Sequence, residues 1–220
     1  WGSVSGATGY AVYRKVSGGD WAMFDTTTGT TYTDGAKLSA GKTYYYTVRA
    51  YVGDVETAKA NRYESAYWGH YEGDGLKAVY LDTPALKGIT TAASSLKVSW
   101  SKVSGATGYA VYRKAPGRSW GMIGTTTSTS YTDKKGMTGG VSYYYTVRAY
   151  KGNVTTAKNH KYTAQYWSGY DAEGKQGRYI ATPKLKEAEA TPEGRKLSWG
   201  SVSGATGYAV YRKVSGGDWA

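Results

Sequence analysis

Residues 96–114 read LKVSWSKVSGATGYAVYRK, and the alternation within this stretch decides the fold. Leu96, Val98 and Trp100 alternate with Lys97 and Ser99, which is the pattern of a strand with one apolar face. The GATGY that follows supplies a turn, after which the apolar alternation resumes. The stretch therefore predicts two short antiparallel strands joined by a turn.

The same stretch recurs along the chain with a period of 99 residues. Residues 1–22 return unchanged at 199–220, and a diverged copy lies at 100–121. An ungapped comparison of residues 1–99 with 100–198 gives 49 identities. The chain is thus a tandem array whose units alternate as A, B and A. Arrays of this kind usually serve reach and multivalency.

The composition favours strands and excludes several kinds of site. The chain contains 24 Tyr, 8 Trp and 31 Gly, which suits strands and turns better than helices. It has no Cys, which excludes disulfides, zinc fingers and thiol catalysis. No apolar run approaches the roughly 20 residues that a membrane span needs.

The net charge of +12 is unevenly distributed along the array. Residues 1–83 carry 8 Lys/Arg against 9 Asp/Glu (−1), residues 84–182 carry 14 against 3 (+11), and residues 183–220 carry 6 against 4 (+2). A nucleic-acid binder would carry basic clusters in every repeat, so that partner is not expected. The basic B unit instead favours an anionic partner, such as a cell-wall polymer or an acidic glycan.

Three motifs in succession carry a family resemblance: LKVSWSKVSGATGYAVYRK (96–114), TSYTD (129–133) and YYYTVRAY (143–150). They resemble the fibronectin type III domain, and in particular its tandem copies in large surface proteins of Gram-positive bacteria. The resemblance implies an all-β fold of tandem antiparallel β-sandwiches, fibronectin type III or immunoglobulin-like. It also implies a tyrosine corner at Tyr44 and Tyr143, although Ala40 and Gly139 replace the usual Pro of that motif.

The family's strand order, A to G, sets the expected domain boundaries. Residues 1–83 correspond to a repeat A that lacks strand A and most of strand B, residues 84–182 to a complete repeat B, and residues 183–220 to strands A to C′ of the next repeat A. Either the sequence is cut from a longer chain, or residues 183–198 complete residues 1–83 of another copy by strand donation. The expected core of repeat B consists of Trp100, Tyr109, Val111, Tyr143, Tyr145 and Val147.

The segments between strands F and G, residues 52–75 and 151–174, are the most unusual part of the chain, and we call them the aromatic segments. A bare hairpin needs only about 2–5 residues, so a long loop of this kind suggests a function. Their aromatics either fold back on the sandwich and seal a junction with the next domain, or form an exposed platform for sugars or partners. The candidate ligand or assembly surface consists of Tyr63, Tyr67, Trp68, Tyr71, Tyr162, Tyr166, Trp167 and Tyr170.

Two further surfaces are candidates for interaction. Lys151, Lys158 and Lys161 form a candidate basic patch in the second aromatic segment. Several tyrosines of strands C and F are expected to point away from the core, where they would form cross-strand pairs or an assembly face. These are Tyr13, Tyr45, Tyr51, Tyr112, Tyr144 and Tyr150.

No motif in the sequence points to catalysis. His70 and His160 are the two histidines, and neither recurs at the equivalent position of the other repeat. Glycine-rich phosphate loops and nucleophile-elbow motifs are missing from the sequence. The paired carboxylates of YEGDG (71–75) and YDAEG (170–174) favour a polar turn over a calcium loop. We therefore expect no catalytic residue, no metal and no cofactor.

The expected function is that of a non-enzymatic structural or adhesive repeat in an extracellular bacterial surface protein or filament. It would act as a semi-rigid, multivalent stalk, because Pro84 and Pro183 restrict the short linkers. Its partners would be neighbouring repeats, other copies of itself and an anionic cell-wall polymer or glycan. The alternative is a carbohydrate-binding accessory module that uses exposed Trp and Tyr side chains of the aromatic segments.

Overall fold

The computed structural model describes residues 1–35, 38–62, 64–92, 94–160 and 162–220. Within these residues the chain is all-β apart from two six-residue helices, which confirms the predicted fold class. The elements, in chain order, are β1 (Gly9–Val16), β2 (Ala22–Thr27), β3 (Thr43–Tyr51), α1 (Val55–Ala60), β4 (Leu76–Val79), β5 (Leu86–Ala92), β6 (Ser95–Trp100), β7 (Gly108–Lys114), β8 (Gly121–Thr126), β9 (Ser130–Asp133), β10 (Ser142–Tyr150), α2 (Val154–Asn159), β11 (Lys175–Arg178), β12 (Leu185–Thr191) and β13 (Gly194–Trp199). None of the described helices is long and apolar enough to cross a bilayer.

The chain divides into two compact units. The first unit consists of Trp1–Pro84, Lys102–Tyr109 and Arg148–Tyr170. The second unit consists of Ala85–Ser101, Ala110–Val147 and Asp171–Ala220. The first unit therefore contains all of the first repeat (residues 1–83) together with two segments of the second repeat (residues 84–182).

The first repeat contains a four-stranded antiparallel sheet in the order β2-β1-β3-β4. Its central pair, β1 and β3, is in continuous register from Gly9↔Tyr51 to Val16↔Tyr44. Residues 9–12 of β1 are all buried, so both faces of the sheet are covered at this point. A bulge between Val12 and Tyr13 interrupts the pairing of β1 with β2.

The second repeat contains two antiparallel sheets. One has the order β11-β10-β7-β8 and the other the order β5-β6-β9. Bulky apolar and aromatic side chains alternate along β6, β7 and β10, and they form the core. All six side chains predicted to form this core are buried: Trp100, Tyr109, Val111, Tyr143, Tyr145 and Val147.

The tyrosine corner implied by the resemblance forms in both repeats. The Tyr44 hydroxyl accepts a hydrogen bond from the backbone N–H of Ser39 at 2.9 Å. The Tyr143 hydroxyl accepts one from the backbone N–H of Thr138 at 2.8 Å. The missing proline therefore does not prevent the corner, because the bond depends on a backbone N–H that the preceding turn presents.

In each repeat an aspartate carboxylate bonds to side chains of two strands, and we call this arrangement the carboxylate clasp. Asp133 is buried and ends β9, whereas Asp34 is half-buried and lies in no strand. In the second repeat, Asp133 accepts hydrogen bonds from the Arg113 guanidinium at 2.7 Å and from the Tyr145 hydroxyl at 2.8 Å. In the first repeat, Asp34 accepts the corresponding bonds at 2.9 and 2.7 Å, from Arg14 and Tyr46. Because each donor lies on a different strand, the clasp fixes the position of residues 31–34 and of β9.

The structure contradicts two expectations about the outer face of the sheets. Tyr51, Tyr112 and Tyr150 are only 5–7% exposed, although they were expected to point into solvent. The aromatic segments were expected to be loops, but each contains a short helix, α1 or α2. Tyr51 and Tyr150 are buried because the aromatic segments return to pair with them, through the bridges Tyr51↔Trp68 and Tyr150↔Trp167.

Candidate functional site: the aromatic segments and the repeat junctions

Each aromatic segment starts with a capped helix. The Asp54 carboxylate accepts a hydrogen bond from the Thr57 backbone N–H at 2.9 Å and caps α1. Because that hydrogen bond stabilises the ionised carboxylate, it lowers the pKa of Asp54. The Asn153 side chain caps α2 in the same way and accepts from Thr155 at 2.8 Å. Helices of six residues are unstable in isolation, so α1 and α2 need packing partners.

The two tryptophans of the aromatic segments supply that packing. Trp68 and Trp167 are only 5% and 4% exposed. Their indole N–H groups donate to the carbonyl oxygens of Ala58 at 2.7 Å and Ala157 at 2.8 Å, each within the neighbouring helix. The prediction of exposed tryptophans as a stacking platform is therefore wrong, because the ring faces are covered by their own repeat.

The tryptophans also pack on the central strand of the sheet. The ring centroids of Tyr51 and Trp68 lie 5.8 Å apart, and those of Tyr150 and Trp167 lie 5.6 Å apart. In the first repeat, Tyr51 and Trp68 form a core cluster with Ala11 and Ala58. Burial raises the pKa of Tyr150. The tryptophans therefore fold back on the sandwich, and they do not form an exposed platform.

Other aromatics of the segments remain accessible around an arginine. The Arg148 guanidinium lies 4.4 Å from the ring centroids of both Tyr162 and Tyr170, which are 43% and 39% exposed. Arg49 takes the equivalent position in the first repeat, 5.6 Å from the ring of Tyr71, which is also 39% exposed. Tyr162 adopts a left-handed backbone conformation with φ of 63°. These cation–π contacts keep the tyrosine rings at the surface in a fixed orientation.

The remaining candidates of the aromatic segments are dispersed. Tyr67 and Tyr166 are half-buried, and Tyr166 stacks on His160 with ring centroids 5.0 Å apart. Tyr63 and Lys161 lie outside the described residues. The eight aromatics therefore do not form one continuous platform in the described part of the segments.

Within the candidate basic patch, Lys151 and Lys158 have different environments. Lys158 is exposed on α2. Lys151 is half-buried, and its ammonium donates to the backbone carbonyl of Gly41 at 2.9 Å. Gly41 belongs to the first repeat, so Lys151 bridges two successive repeats rather than facing solvent with Lys158.

The contact between the first and second repeats lies within the first unit and is made largely by backbone. The Val79 N–H of β4 donates to the Ala164 carbonyl of the second aromatic segment at 2.9 Å. Gly41 and Gly105, with φ of 81° and 75°, face each other. A Cβ placed on Gly105 would lie only 2.3 Å from the Cα of Gly41, so Gly105 has no room for a side chain, whereas a Cβ on Gly41 would lie 3.1 Å from the Cα of Gly105.

The same glycine contact recurs within the second unit, at the next junction along the chain. Gly140 and Gly204, with φ of 81° and 75°, face each other. A Cβ placed on Gly204 would lie 2.2 Å from the Cα of Gly140. The Arg178 guanidinium donates to the Gly204 carbonyl at 3.3 Å. Both glycine pairs are spaced 64 residues apart, so the junction repeats with the array.

These glycine pairs did not emerge from the sequence as candidates, although a signal for them is present. Both members keep their identity in every copy that the chain contains. One member corresponds to Gly6, Gly105 and Gly204, and the other to Gly41 and Gly140. Glycine has no Cβ, so it tolerates both the positive φ and the close approach of two backbones at this junction, which explains why it occurs in each copy.

The similarity of the chain to a curated protein covers part of its length. Exoglucanase B of Cellulomonas fimi is 34% identical to the chain over 163 residues. The match covers 67% of the chain and 13% of that protein, so the chain spans a small fraction of its relative. No family model matches the chain.

Similar solved structures have low sequence identity and low TM-scores. A crystal structure of the FN1–FN3 domains of chicken CNTN1 covers 78% of the chain and 54% of its own length, with 16% identity and a TM-score of 0.33. A crystal structure of a β-1,2-glucanase from Parabacteroides distasonis covers 76% of the chain and 25% of its own length, with 13% identity and a TM-score of 0.31.

Proposed function

We propose that the chain is a non-enzymatic structural repeat of an extracellular bacterial protein, in which successive sandwiches form a semi-rigid, multivalent stalk. The observation that carries this proposal is the glycine junction, which occurs as Gly41–Gly105 and again as Gly140–Gly204. A stalk needs the same stiff connection after every repeat. A flexible linker would instead leave the glycine backbones apart.

The hydrogen bonds at the first junction support stiffness. Lys151 and Ala164, both in the second aromatic segment, bond to Gly41 and Val79 of the first repeat. Each of these bonds involves a backbone group, so it restrains the orientation of one repeat against the next. The aromatic segment thereby acquires a structural role, because its helix and its buried Trp167 hold Lys151 and Ala164 in place.

Location outside the cell is part of the proposal. The similarity to a protein named exoglucanase supports it, because glucan polymers are too large to enter a cell intact. The absence of Cys is compatible with this location, since the repeats fold without disulfide formation.

Substitution of Gly105 by Ala tests the stalk proposal, and Gly6→Ala is the matched control. Both glycines occur in the sequence SGATGY with a positive φ, so both variants bear a similar backbone strain of about 1 kcal/mol. A Cβ on Gly6 meets no atom within 4 Å, whereas a Cβ on Gly105 collides with Gly41. We therefore expect Gly105→Ala alone to open the junction.

The measurement is the distance distribution between two spin labels, one in the first repeat and one in the second, recorded by pulsed electron–electron double resonance. A narrow distribution in the wild type and in Gly6→Ala, together with a broad one in Gly105→Ala, supports the stalk. A broad distribution in the wild type contradicts it, and so does an unchanged distribution in Gly105→Ala.

A second candidate function is that of a carbohydrate-binding accessory module. The observation that favours it is the pair of exposed tyrosine rings, Tyr162 and Tyr170, held in fixed orientation by Arg148 in a chain similar to a protein named exoglucanase. Aromatic rings at the surface suit stacking on sugars. Retention on cellulose and on soluble β-glucans, compared between wild type and the Tyr162→Ala/Tyr170→Ala variant, tests this role. Tyr144→Ala serves as the control, and a wild type without retention contradicts the role.

A further inference from the structure

Each repeat holds a lysine between two aromatic rings, on the face of the sheet that points away from the core. In the second repeat, the Lys114 ammonium lies 4.5 Å from the ring centroid of Trp120 and 5.5 Å from that of Tyr144. The first repeat has the same arrangement at 4.7 and 5.5 Å, formed by Lys15, Trp21 and Tyr45. We call each of these groups a lysine–aromatic site.

The register of the strands brings the members of each site together. In the first repeat, Lys15 of β1 pairs with Tyr45 of β3, and residues that pair across antiparallel strands project to the same face. Trp21 and Trp120 directly precede β2 and β8, the strands that flank β1 and β7. The site therefore belongs to the sheet itself and recurs with it.

A glycine in a nearby turn fixes the position of each tryptophan ring. A Cβ placed on Gly174 would lie 2.7 Å from Cη2 of Trp120, and a Cβ placed on Gly75 would lie 2.5 Å from Cη2 of Trp21. Both indoles thus pack edge-on against the turn that precedes the last strand of their sheet. They remain half-buried, so part of each ring is accessible in a fixed orientation. A surface that is ordered beforehand loses less entropy when a ligand binds.

The lysines of these sites lack an acidic partner. Neither Lys15 nor Lys114 forms an ion pair within the part of the chain that the structure describes. The Asp171 carboxylate, in the turn that contains Gly174, instead accepts hydrogen bonds from the backbone N–H groups of Glu173 and Gly174, both at 3.1 Å. Cation–π contacts of partly exposed lysines are weak, and the lysine stem is flexible. The ammonium can therefore turn towards an anion while the rings stay in place.

The site of the second repeat is the more positive of the two. Arg118 lies two residues before its tryptophan, where the first repeat has Gly19. Asp20 directly precedes the tryptophan of the first repeat and has no acidic counterpart in the second. Lys77, which Gln176 replaces in the second repeat, offsets one of these two charges. The net charge of the whole repeat, +11 against −1, acts in the same direction as the remaining difference.

We propose that the lysine–aromatic site of the second repeat binds an acidic polysaccharide whose pyranose rings carry carboxylates. A uronic acid combines two features on one ring. Its C–H face is apolar and suits the accessible surface of Trp120 and Tyr144, and its carboxylate supplies the ion-pair partner that Lys114 lacks. The site of the first repeat binds the same ligand more weakly.

This ligand class differs from that of the second candidate function. A neutral glucan offers no carboxylate to Lys114, so it is not a ligand of the lysine–aromatic site. Each site lies within one repeat and involves no junction glycine. The inference therefore goes beyond the proposed stalk and does not depend on it.

The first test measures binding of the intact chain to galacturonate oligomers by isothermal titration calorimetry. Methyl-esterified oligomers keep the sugar ring without its charge, and poly-glutamate keeps the carboxylates without the ring. We expect the wild type to bind the galacturonate oligomers, less tightly at high salt, and to bind both controls about ten-fold more weakly or worse. Absence of binding, equal binding of the methyl ester or equal binding of poly-glutamate overturns the proposal.

Variants of single lysines separate the site from the overall charge of the chain. Lys114→Gln should weaken binding by about ten-fold or more, the usual effect of losing a charge-assisted hydrogen bond. Lys97→Gln removes the same charge from an exposed position of β6 and should bind as the wild type does. Lys114→Arg keeps a cation over the rings and should retain most of the affinity. Equal losses in Lys114→Gln and Lys97→Gln would mean that binding follows net charge alone, which overturns the proposal.

A second test identifies the ring that contacts the ligand in the unaltered chain. The indole N–H signals are followed in a two-dimensional NMR spectrum as galacturonate oligomers are added. The signal of Trp120, assigned by its loss in Trp120→Phe, should shift first, and that of Trp21 at higher ligand concentration. The buried Trp100 and Trp167 should not respond. Shifts that leave the Trp120 signal unchanged overturn the proposal.

Discussion

At the scale of single residues, the carboxylate clasp decides where one sheet meets the other. Asp133 ends β9, while its partners Arg113 and Tyr145 lie on β7 and β10 of the opposite sheet. The alternation in YYYTVRAY predicted that Tyr145 is buried. It did not predict Asp133 as its partner, because a buried carboxylate runs against the apolar pattern and is stable only with its donors present.

Tyr145 makes the stability of the protein sensitive to alkaline pH. Burial, and then its hydrogen bond to Asp133, raise the pKa of the Tyr145 hydroxyl above the value of about 10 in an unfolded chain. The contribution of Tyr145 to the free energy of unfolding is therefore fully present below about pH 10 and is lost as the pH rises towards the folded-state pKa. We expect the free energy of unfolding, measured with urea, to fall above pH 10 in the wild type and to fall less steeply in Tyr145→Phe.

The neighbouring residue supplies the control for this pH dependence. Tyr144 points to the other face of the same strand, so Tyr144→Phe should keep the wild-type slope. Parallel curves for the wild type and Tyr145→Phe would show that Tyr145 is not responsible for the alkaline loss.

At the scale of elements, strands were easier to predict than the two helices. The strands follow from apolar alternation, which their backbone periodicity requires. Helices α1 and α2 are too short for a 3.6-residue pattern to become visible, and they depend on Trp68 and Trp167 from later in the chain. The available signal was Asp54 or Asn153, each an N-cap residue directly after a glycine.

Helix α2 should therefore unfold locally when its tryptophan is removed. Trp167→Ala deletes a buried ring and its hydrogen bond to Ala157, at a cost of about 3–5 kcal/mol. A six-residue helix is unstable without its packing partner. The amides of α2 should therefore lose their protection from hydrogen exchange, while those of β7 and β10 keep theirs. Hydrogen exchange followed by mass spectrometry measures both regions.

An exposed tyrosine of the same segment provides the comparison. Tyr170→Ala removes a ring that is 39% exposed and should leave the exchange of α2 unchanged. Retained protection of α2 in Trp167→Ala would mean that the helix is stabilised by something other than the indole.

At the scale of the whole molecule, the repeats were predictable and the contacts between them were not. The sequence period of 99 residues and the family resemblance predicted all-β repeats of antiparallel strands, and the sheets follow that prediction. The junction escaped prediction because it joins Gly41 to Gly105 across 64 residues, and no local pattern encodes such a pairing. The charge difference between residues 1–83 and 84–182 remains a prediction of an anionic partner.

The recurrence of the glycine junction has a consequence for how such a chain can change length. The junction between A and B and the junction between B and the next A each contain a glycine pair at equivalent positions, Gly41–Gly105 and Gly140–Gly204. Either type of repeat can therefore follow the other without a new interface. Because residues 1–22 and 199–220 are identical in amino-acid sequence, an A–B pair could be inserted or removed as a whole between these positions. The product would keep every junction, so length can evolve independently of fold.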